Sequence, residues 1–251
     1  MYEPYDTLAF LYDDWQKSFA KPYSETVASL LRKEIRSNRI KPGKFLDLAC
    51  GTGDAAILMA AEGWSVTGVD SSAGMLRRAR DKTKKRKLNI SFLQQRMEEL
   101  DIQETFQLAG SFYDSVNHIP SKRQLQKMLK QVRKHLDAES LFMFDSNTLS
   151  CYRNLWNITS VGHEDGYTLI IENSFNESTA RAASSITVFQ REKEGKYSKS
   201  VARVKERWYT DEELETLLNK TGFQVMRRDP VYLFSYDEPD PYKQWWVCKA
   251  V

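Results

Sequence analysis

The sequence predicts an α/β chain built on a doubly wound, mostly parallel sheet, with a small antiparallel sheet inserted late. Three observations carry this expectation. Strand-like and helix-like stretches alternate up to about residue 149. From 150 to 209 strand-like runs follow one another with no helix between them, as in an antiparallel sheet. From 210 the helix and strand pattern returns. The expected division is therefore a core of residues 1–149 and 210–251, interrupted by an antiparallel insertion at 150–209.

Each element has a local reason. Ser24 is read as the cap of a helix reaching Ser37, with Val27, Leu30, Leu31 and Ile35 on one face. Pro42-Gly43 ends it and leads into a short buried strand, Phe45, Leu46 and Leu48. Gly51 and Gly53 permit a tight turn, Ala55 to Ala61 reads as a helix closed by Gly63, and Trp64 to Val69 is a second strand with Asp70 at its end. Ser71 or Ser72 then caps a helix holding Met75, Leu76 and Ala79. Strands are expected at Asn89 to Leu93 and Phe106 to Phe112, an amphipathic helix from Ser121 to Leu136, and a buried strand at Leu141 to Phe144. The insertion reads as strands at Tyr167 to Ile171, Ile186 to Phe189 and Val201 to Tyr209, with a turn near Glu194-Gly195. Thr210 and Glu213 form a capping box for a helix stopped by Gly222, and Phe223 to Val225 and Trp245 to Val247 supply the last strands.

The bulk properties set limits. With 251 residues, 41% hydrophobic and 28% charged, the chain can bury an ordinary core. No apolar run approaches the ~20 residues of a membrane span. The opening acids Glu3, Asp6, Asp13 and Asp14 do not form a signal-peptide pattern, so a cytoplasmic location is expected. Cys50, Cys151 and Cys248 are too few and too scattered for a disulfide framework. A net charge of +3 does not call for a polyanionic partner. The exception is local: Arg77 to Lys87 holds eight basic residues and one acid. This run reads first as a solvated helix end, where cations suit the macrodipole. His118, His135 and His163 are isolated in sequence, no metal-ligand cluster is visible, and His163-Glu164-Asp165 reads as a polar turn.

The chemistry concentrates in FLDLACGTGD at 45–54 with Asp70 beyond it. A strand, a glycine turn, a helix and a second strand ending in an acid bind a nucleoside through its ribose hydroxyls. A pyrophosphate would normally meet an apolar strand and an uncharged helix N-terminus. Here Asp47 and Asp54 stand at those places, which suits a ligand bearing positive charge. At Asp47, Ala49, Gly51 and Gly53 the chain resembles the class I S-adenosylmethionine-dependent methyltransferases, with their Rossmann-like core. Asp70-Ser71-Ser72 with Met75-Leu76 looks like that family's second strand and helix, and Phe144-Asp145 with Asn147-Thr148 like its fifth strand. Tyr5-Asp6 with Ala9, Tyr12 and Asp13 resembles the segment that closes over the methyl donor. The late antiparallel insertion is similar to that of small-molecule methyltransferases, including sugar-amine N-methyltransferases.

The resemblance implies S-adenosyl-L-methionine as cofactor, held by Tyr12, Asp47, Ala49, Cys50, Gly51, Gly53, Asp70, Ser71, Met75, Arg96, Met97 and Ser111. It implies methyl transfer to a nitrogen or oxygen of a small molecule. The insertion follows the fifth strand and so emerges at the ligand-binding edge, where it is expected to be a lid over the acceptor; no membrane partner is expected, and nucleic acid is disfavoured. Tyr113, Asn117 and His118 follow the fourth strand at the ligand-binding edge and are the candidates for facing the acceptor. Three positions depart from the family pattern: Arg96 stands where an acid usually accepts from adenine, Gln107 opens the fourth strand, and Ala138-Glu139-Ser140 precedes the fifth. Two other readings stay open: an RNA methyltransferase using 77–87, and a non-catalytic nucleoside-binding module. A nicotinamide enzyme is a distant third.

Overall fold

The N-terminal acids and aromatics lie on two short helices, α1 (Pro4–Leu8) and α2 (Tyr12–Phe19), followed by α3 (Lys21–Ser37). The computed structural model describes residues 3–19, 21–232 and 240–251. The α3 helix starts ahead of Ser24, so Ser24 does not cap it; its Oγ instead accepts from the Tyr113 hydroxyl at 2.8 Å. Alternation then follows: β1 (Lys44–Leu48), α4 (Asp54–Ala61), β2 (Ser65–Asp70), α5 (Ala73–Arg86) and β3 (Ser91–Gln94). Ser72 is the cap of α5, accepting from the Met75 N–H at 3.1 Å. Next come β4 (Phe106–Ser111), α6 (Lys122–Lys134), β5 (Leu136–Asn147) and α7 (Leu149–Leu155).

The next strands are β6 (Thr159–Glu164), β7 (Tyr167–Asn176), β8 (Arg181–Arg191) and β9 (Tyr197–Arg207), a four-stranded antiparallel sheet in simple sequence order. The chain returns through α8 (Asp211–Lys220), capped by Thr210, to β10 (Phe223–Val231) and β11 (Lys243–Ala250). The main sheet has the order β10-β11-β5-β4-β1-β2-β3, with β1 to β5 parallel and β11 antiparallel to both neighbours.

Two elements escaped the sequence reading. The β6 strand is a sheet edge with almost every residue exposed, so no apolar alternation marks it. His163 and Glu164 end this strand rather than forming a turn; the turn is Asp165-Gly166, with Gly166 at φ 91°. The short α7 helix is carried by its Thr148 cap, which accepts from the Cys151 N–H at 3.2 Å.

Helix stripes cover both faces of the main sheet. Val27 and Leu31 of α3, Ala56 and Met59 of α4 and Leu76 of α5 pack on one face. Leu125, Met128, Leu129 and Val132 of α6 and Leu214 and Leu218 of α8 pack on the other. A third cluster joins Leu8 and Leu11 to Leu169, Ile186, Val188, Ala202 and Val204 of the antiparallel sheet. The amino-terminal helices are thus wedged between the two sheets.

β1 is the switch point, because the chain runs to β2 and β3 on one side and to β4 and β5 on the other. A crevice at the carboxyl ends of these strands is the ligand position in open α/β sheets. Beside it, Phe112 stacks on Trp245 at 5.3 Å with their planes 4° apart, and a Cβ on Gly110 would sit 2.4 Å from the Phe112 ring. Gly110→Ala should therefore destabilise the fold by about 1–3 kcal/mol through overpacking, seen as a lower urea midpoint with an unchanged slope.

Candidate functional site

The crevice is a cavity of about 390 Å³. Its floor is the turn after β1. Ala49 and Gly51 adopt left-handed backbone at φ 52° and 53°, which bends the chain so that the Gly51 N–H donates to Asp70 Oδ2 at 2.8 Å. Ser72 N–H donates to Asp70 Oδ1 at the same distance. Each carboxylate oxygen has a second lone-pair site, so Asp70 can still accept from a diol. Burial pushes its pKa up to about 6 despite the two N–H donors.

Asp47 lies deeper, 2% exposed, and its Oδ2 has no hydrogen-bond partner among the described residues. Burial raises its pKa to about 8, against the Ala56 N–H, which lowers it. An orphaned buried carboxylate oxygen lining a cavity is a receptor for a cationic group.

The amino-terminal helices strap this floor. Glu3 accepts from Ser71 Oγ at 2.9 Å, Asp6 from Ser72 Oγ at 2.6 Å and the Gly74 N–H at 2.7 Å, and Asp13 from Thr52 Oγ1 at 2.6 Å. Lys82 bridges Asp13 and Asp54 at 2.9 and 2.6 Å, Arg78 donates to the Ala9 and Phe10 carbonyls, and Arg80 donates to the Phe92 carbonyl. Three of the eight basic residues at 77–87 therefore hold the fold, which weakens the reading of that run as a nucleic-acid track.

The sequence-chosen residues divide cleanly. Tyr12, Asp47, Ala49, Cys50, Gly51 and Asp70 line the cavity, as do Ser71, Met75, Arg96 and Met97. Gly53 and Ser111 do not. Gly53 opens α4 at φ 85°, where an added Cβ would press on Ala79 at 3.2 Å. Ser111 is fully buried, its Oγ 3.8 Å from the Met97 sulfur. Arg96 donates to Glu98 at 3.2 Å with its side chain 43% exposed. Glu98, buried and cavity-lining, was missed; the only available signal is an acid two residues beyond the departing position.

Of the acceptor candidates, Tyr113 and His118 line the cavity, but Asn117 does not. Its side chain is fully buried, donating to the Arg207 carbonyl at 2.9 Å and accepting from the Asn147 N–H at 3.0 Å, so it ties β9 to β5. Tyr5, the first residue of the amino-terminal pattern, also lines the cavity, as do Arg203 and Lys205, to which no local sequence pattern points.

His118 sits in a polar cluster that only the fold assembles. Its Nδ1 is 3.3 Å from the Asp114 carbonyl, which can only accept, so Nδ1 carries the proton and Nε2 accepts from the Tyr5 hydroxyl at 2.5 Å. Burial lowers its pKa, overcoming the opposing charge of Asp114. Behind it, Asp114, His118 and Glu206 bring their ligand atoms within 4.8 Å of one another, although the sequence shows no such cluster.

Lys243 already neutralises this group, its Nζ lying 2.5 Å from Asp114, 3.1 Å from Asp145 and 2.9 Å from Asn147 Oδ1. Burial opposes the Lys243 charge, but Asp114 and Asp145 raise its pKa above the ordinary lysine range. Glu206 is pushed up by burial and by Asp114, and it accepts from Tyr152 Oη at 2.6 Å and Asn147 Nδ2 at 3.1 Å.

Residues 45–139 match the family model of a methyltransferase domain. Over those residues the chain is similar to methyltransferase domains, and its overall fold is shared with solved S-adenosylmethionine-dependent methyltransferases. A relative from Geobacillus sp. strain WCH70, whose methyltransferase name is provisional, is 26% identical over 223 residues, covering 88% of this chain and 90% of that protein. An S-adenosylmethionine-dependent methyltransferase of Clostridium acetobutylicum ATCC 824 superposes with a TM-score of 0.84 at 24% identity, over 99% of both chains. The sugar N-methyltransferase KedS8 of Streptoalloteichus sp. ATCC 53650 has a TM-score of 0.74 at 17% identity, over 95% of this chain and 92% of its own.

S-Adenosylmethionine, the donor of the Clostridium acetobutylicum enzyme, is a sulfonium that supplies an activated methyl group. The orphaned Asp47 oxygen and the spare acceptor sites of Asp70 fit such a ligand, which brings an ammonium and a ribose diol. Among the described residues no helix is long and apolar enough to cross a membrane.

Both carboxyls hold their protons more tightly in the folded chain than in the unfolded one, so their ionisation favours unfolding between pH ~4 and ~8 and ligand binding runs the other way. Affinity for S-adenosylhomocysteine should rise as pH goes from 6 to 8, with proton release on binding, measured calorimetrically in buffers of different ionisation enthalpy. Asp70→Asn should weaken that binding by about 10–100-fold, the loss of charged hydrogen bonds, and flatten the pH step near 6. Lys243→Met should destabilise the fold by about 3–5 kcal/mol, because two buried carboxyls lose their cation; thermal and urea melts read this directly.

Proposed function

We propose that this methyltransferase modifies a small molecule at an amine nitrogen, with an oxygen acceptor as the second possibility. The observation that carries the reading is the hydrogen-bonded Tyr5–His118 pair, which lines the same cavity as Asp47 and Asp70. Methyl transfer from a sulfonium needs in-line positioning above all. The acceptor must also lose a proton. Tyr5 Oη can take it while passing its own to His118 Nε2, and the Asp114 carbonyl and Glu206 carboxyl on the far side of the ring orient the imidazole. An imidazole of lowered pKa is a weak base, which suits an ammonium better than an alcohol.

Residues 1–149 and 210–251 serve in this reading as the donor-binding core. Residues 150–209 serve as a lid, with β9 closing one side of the acceptor space. KedS8, named a sugar N-methyltransferase, has the same overall fold, which supports a small acceptor over a macromolecular one.

The test is turnover across a panel of primary and secondary amines and phenols, followed by release of S-adenosylhomocysteine. Amines should react, and His118→Gln and Tyr5→Phe should each lower kcat by about 10²–10⁴ while S-adenosylhomocysteine affinity stays within twofold. Unchanged kcat in both variants would remove the pair from the chemistry.

A further inference from the structure

We propose that Arg203 and Lys205 form an anion subsite and that the acceptor carries a phosphate group; this rests on the small-molecule reading above. The charges lining the cavity are partitioned. Glu3, Asp47, Asp54, Asp70 and Glu98 belong to the strap, the glycine turn and the β3 end, where the cationic donor sits. Arg96, on that side, is engaged by Glu98. Around the acceptor space the lining is Tyr113, Ser115, His118, Ile119 and β9, and its fixed charges among the described residues are Arg203 and Lys205.

These two cations are unspent. Both are exposed, and neither makes a hydrogen bond or an ion pair with any described residue. Their neighbours along the same strand face are engaged: Lys199 lies over the Phe189 ring at 5.9 Å, and Arg207 lies over Tyr209 at 5.2 Å and 3.8 Å from Glu213.

The sheet leaves room for an occupant. Across from Arg203 on β8 is Ser185, and across from Lys205 is Ala183, so no carboxylate answers either charge. On its other side β9 is a sheet edge with no strand beyond it. Two positions apart, the residues point to one side with Cα atoms about 7 Å apart. Two unpaired cations at that spacing cost self-repulsion that an anion with several oxygens relieves. A phosphate presents three acceptor oxygens and close to two charges, and a guanidinium binds it bidentately while an ammonium binds it as a point charge. A single carboxylate engages one of the two.

The measurement is calorimetric titration of the S-adenosylhomocysteine-saturated enzyme at fixed ionic strength, with inorganic pyrophosphate as probe and malonate and a short single-stranded RNA as comparators. Wild type should bind pyrophosphate at least tenfold more tightly than malonate or, per molecule, the RNA. Arg203→Ala/Lys205→Ala should lose at least tenfold of the pyrophosphate affinity, with S-adenosylhomocysteine binding within twofold of wild type, which also certifies the fold. Arg203→Lys/Lys205→Arg should keep most of it. In turnover, the double alanine variant should raise KM for phosphorylated amines at least tenfold and leave kcat unchanged.

Equal pyrophosphate binding in wild type and the double alanine variant would overturn the subsite. Malonate binding as tightly as pyrophosphate would overturn the phosphate assignment, and tighter RNA binding would overturn the small-molecule one. Absence of amine turnover alongside intact, Arg203- and Lys205-dependent pyrophosphate binding would fault the proposed reaction and not the subsite.

Discussion

The buried ammonium of Lys243 is the interaction on which the His118 side of the cavity depends. It joins the turn after β4 through Asp114, β5 through Asp145 and Asn147, and β11 through its own backbone. Asp145 also accepts from the Asp114 N–H at 2.8 Å. These bonds hold Tyr113 and Asp114 in consecutive left-handed conformations, φ 59° and 52°, where a non-glycine residue costs on the order of 1–3 kcal/mol. The strained turn aims Tyr113 at α3 and His118 at the cavity. A charge this deep is tolerated because acceptors from three directions replace its water, and the Tyr23 ring lies 5.1 Å away.

From this anchor the network runs on into the antiparallel sheet. Asn147 and Tyr152 hold Glu206 of β9, and Asn117 holds the Arg207 carbonyl. The sheet that borders the acceptor space is thus tied to the core by polar contacts at its β9 end and by the apolar contacts of Leu8 and Leu11. The donor side is organised by the opposite sign of charge. Carboxylates of the strap accept from hydroxyls and N–H groups around the glycine turn, while Asp47 is left to a ligand. One cavity therefore joins an acidic floor to a wall that carries His118, Arg203 and Lys205.

Much of this was legible in the sequence because it is local. Ser72, Ser121 and Thr210 cap their helices through bonds spanning a few residues, and the apolar spacing of α6 and α8 marks the buried face without reference to any partner. Asp47, Gly51 and Asp70 were readable because a tight turn between two parallel strands brings them together in any chain that makes it. The β6 edge was not readable, since an exposed strand has no burial to pattern its side chains. Asn117 was misassigned for a related reason: a polar residue at a sheet edge can face a ligand or bridge two strands, and only the arrival of β9 decides between them.

The sequence by itself determined the alternation of elements and the turn after β1 with its two acids. Each follows from bonds and periodicities contained within about thirty residues. Only the tertiary structure decided the His118 side of the cavity. Tyr5 meets His118 across 113 positions, Lys243 meets Asp114 across 129, and Arg203 and Lys205 reach the cavity because β9 is an edge strand. Contacts of that separation leave no local periodicity in the sequence. They depend on how two sheets and a strap pack, and a hydrogen bond between side chains does not record in advance which partner will arrive.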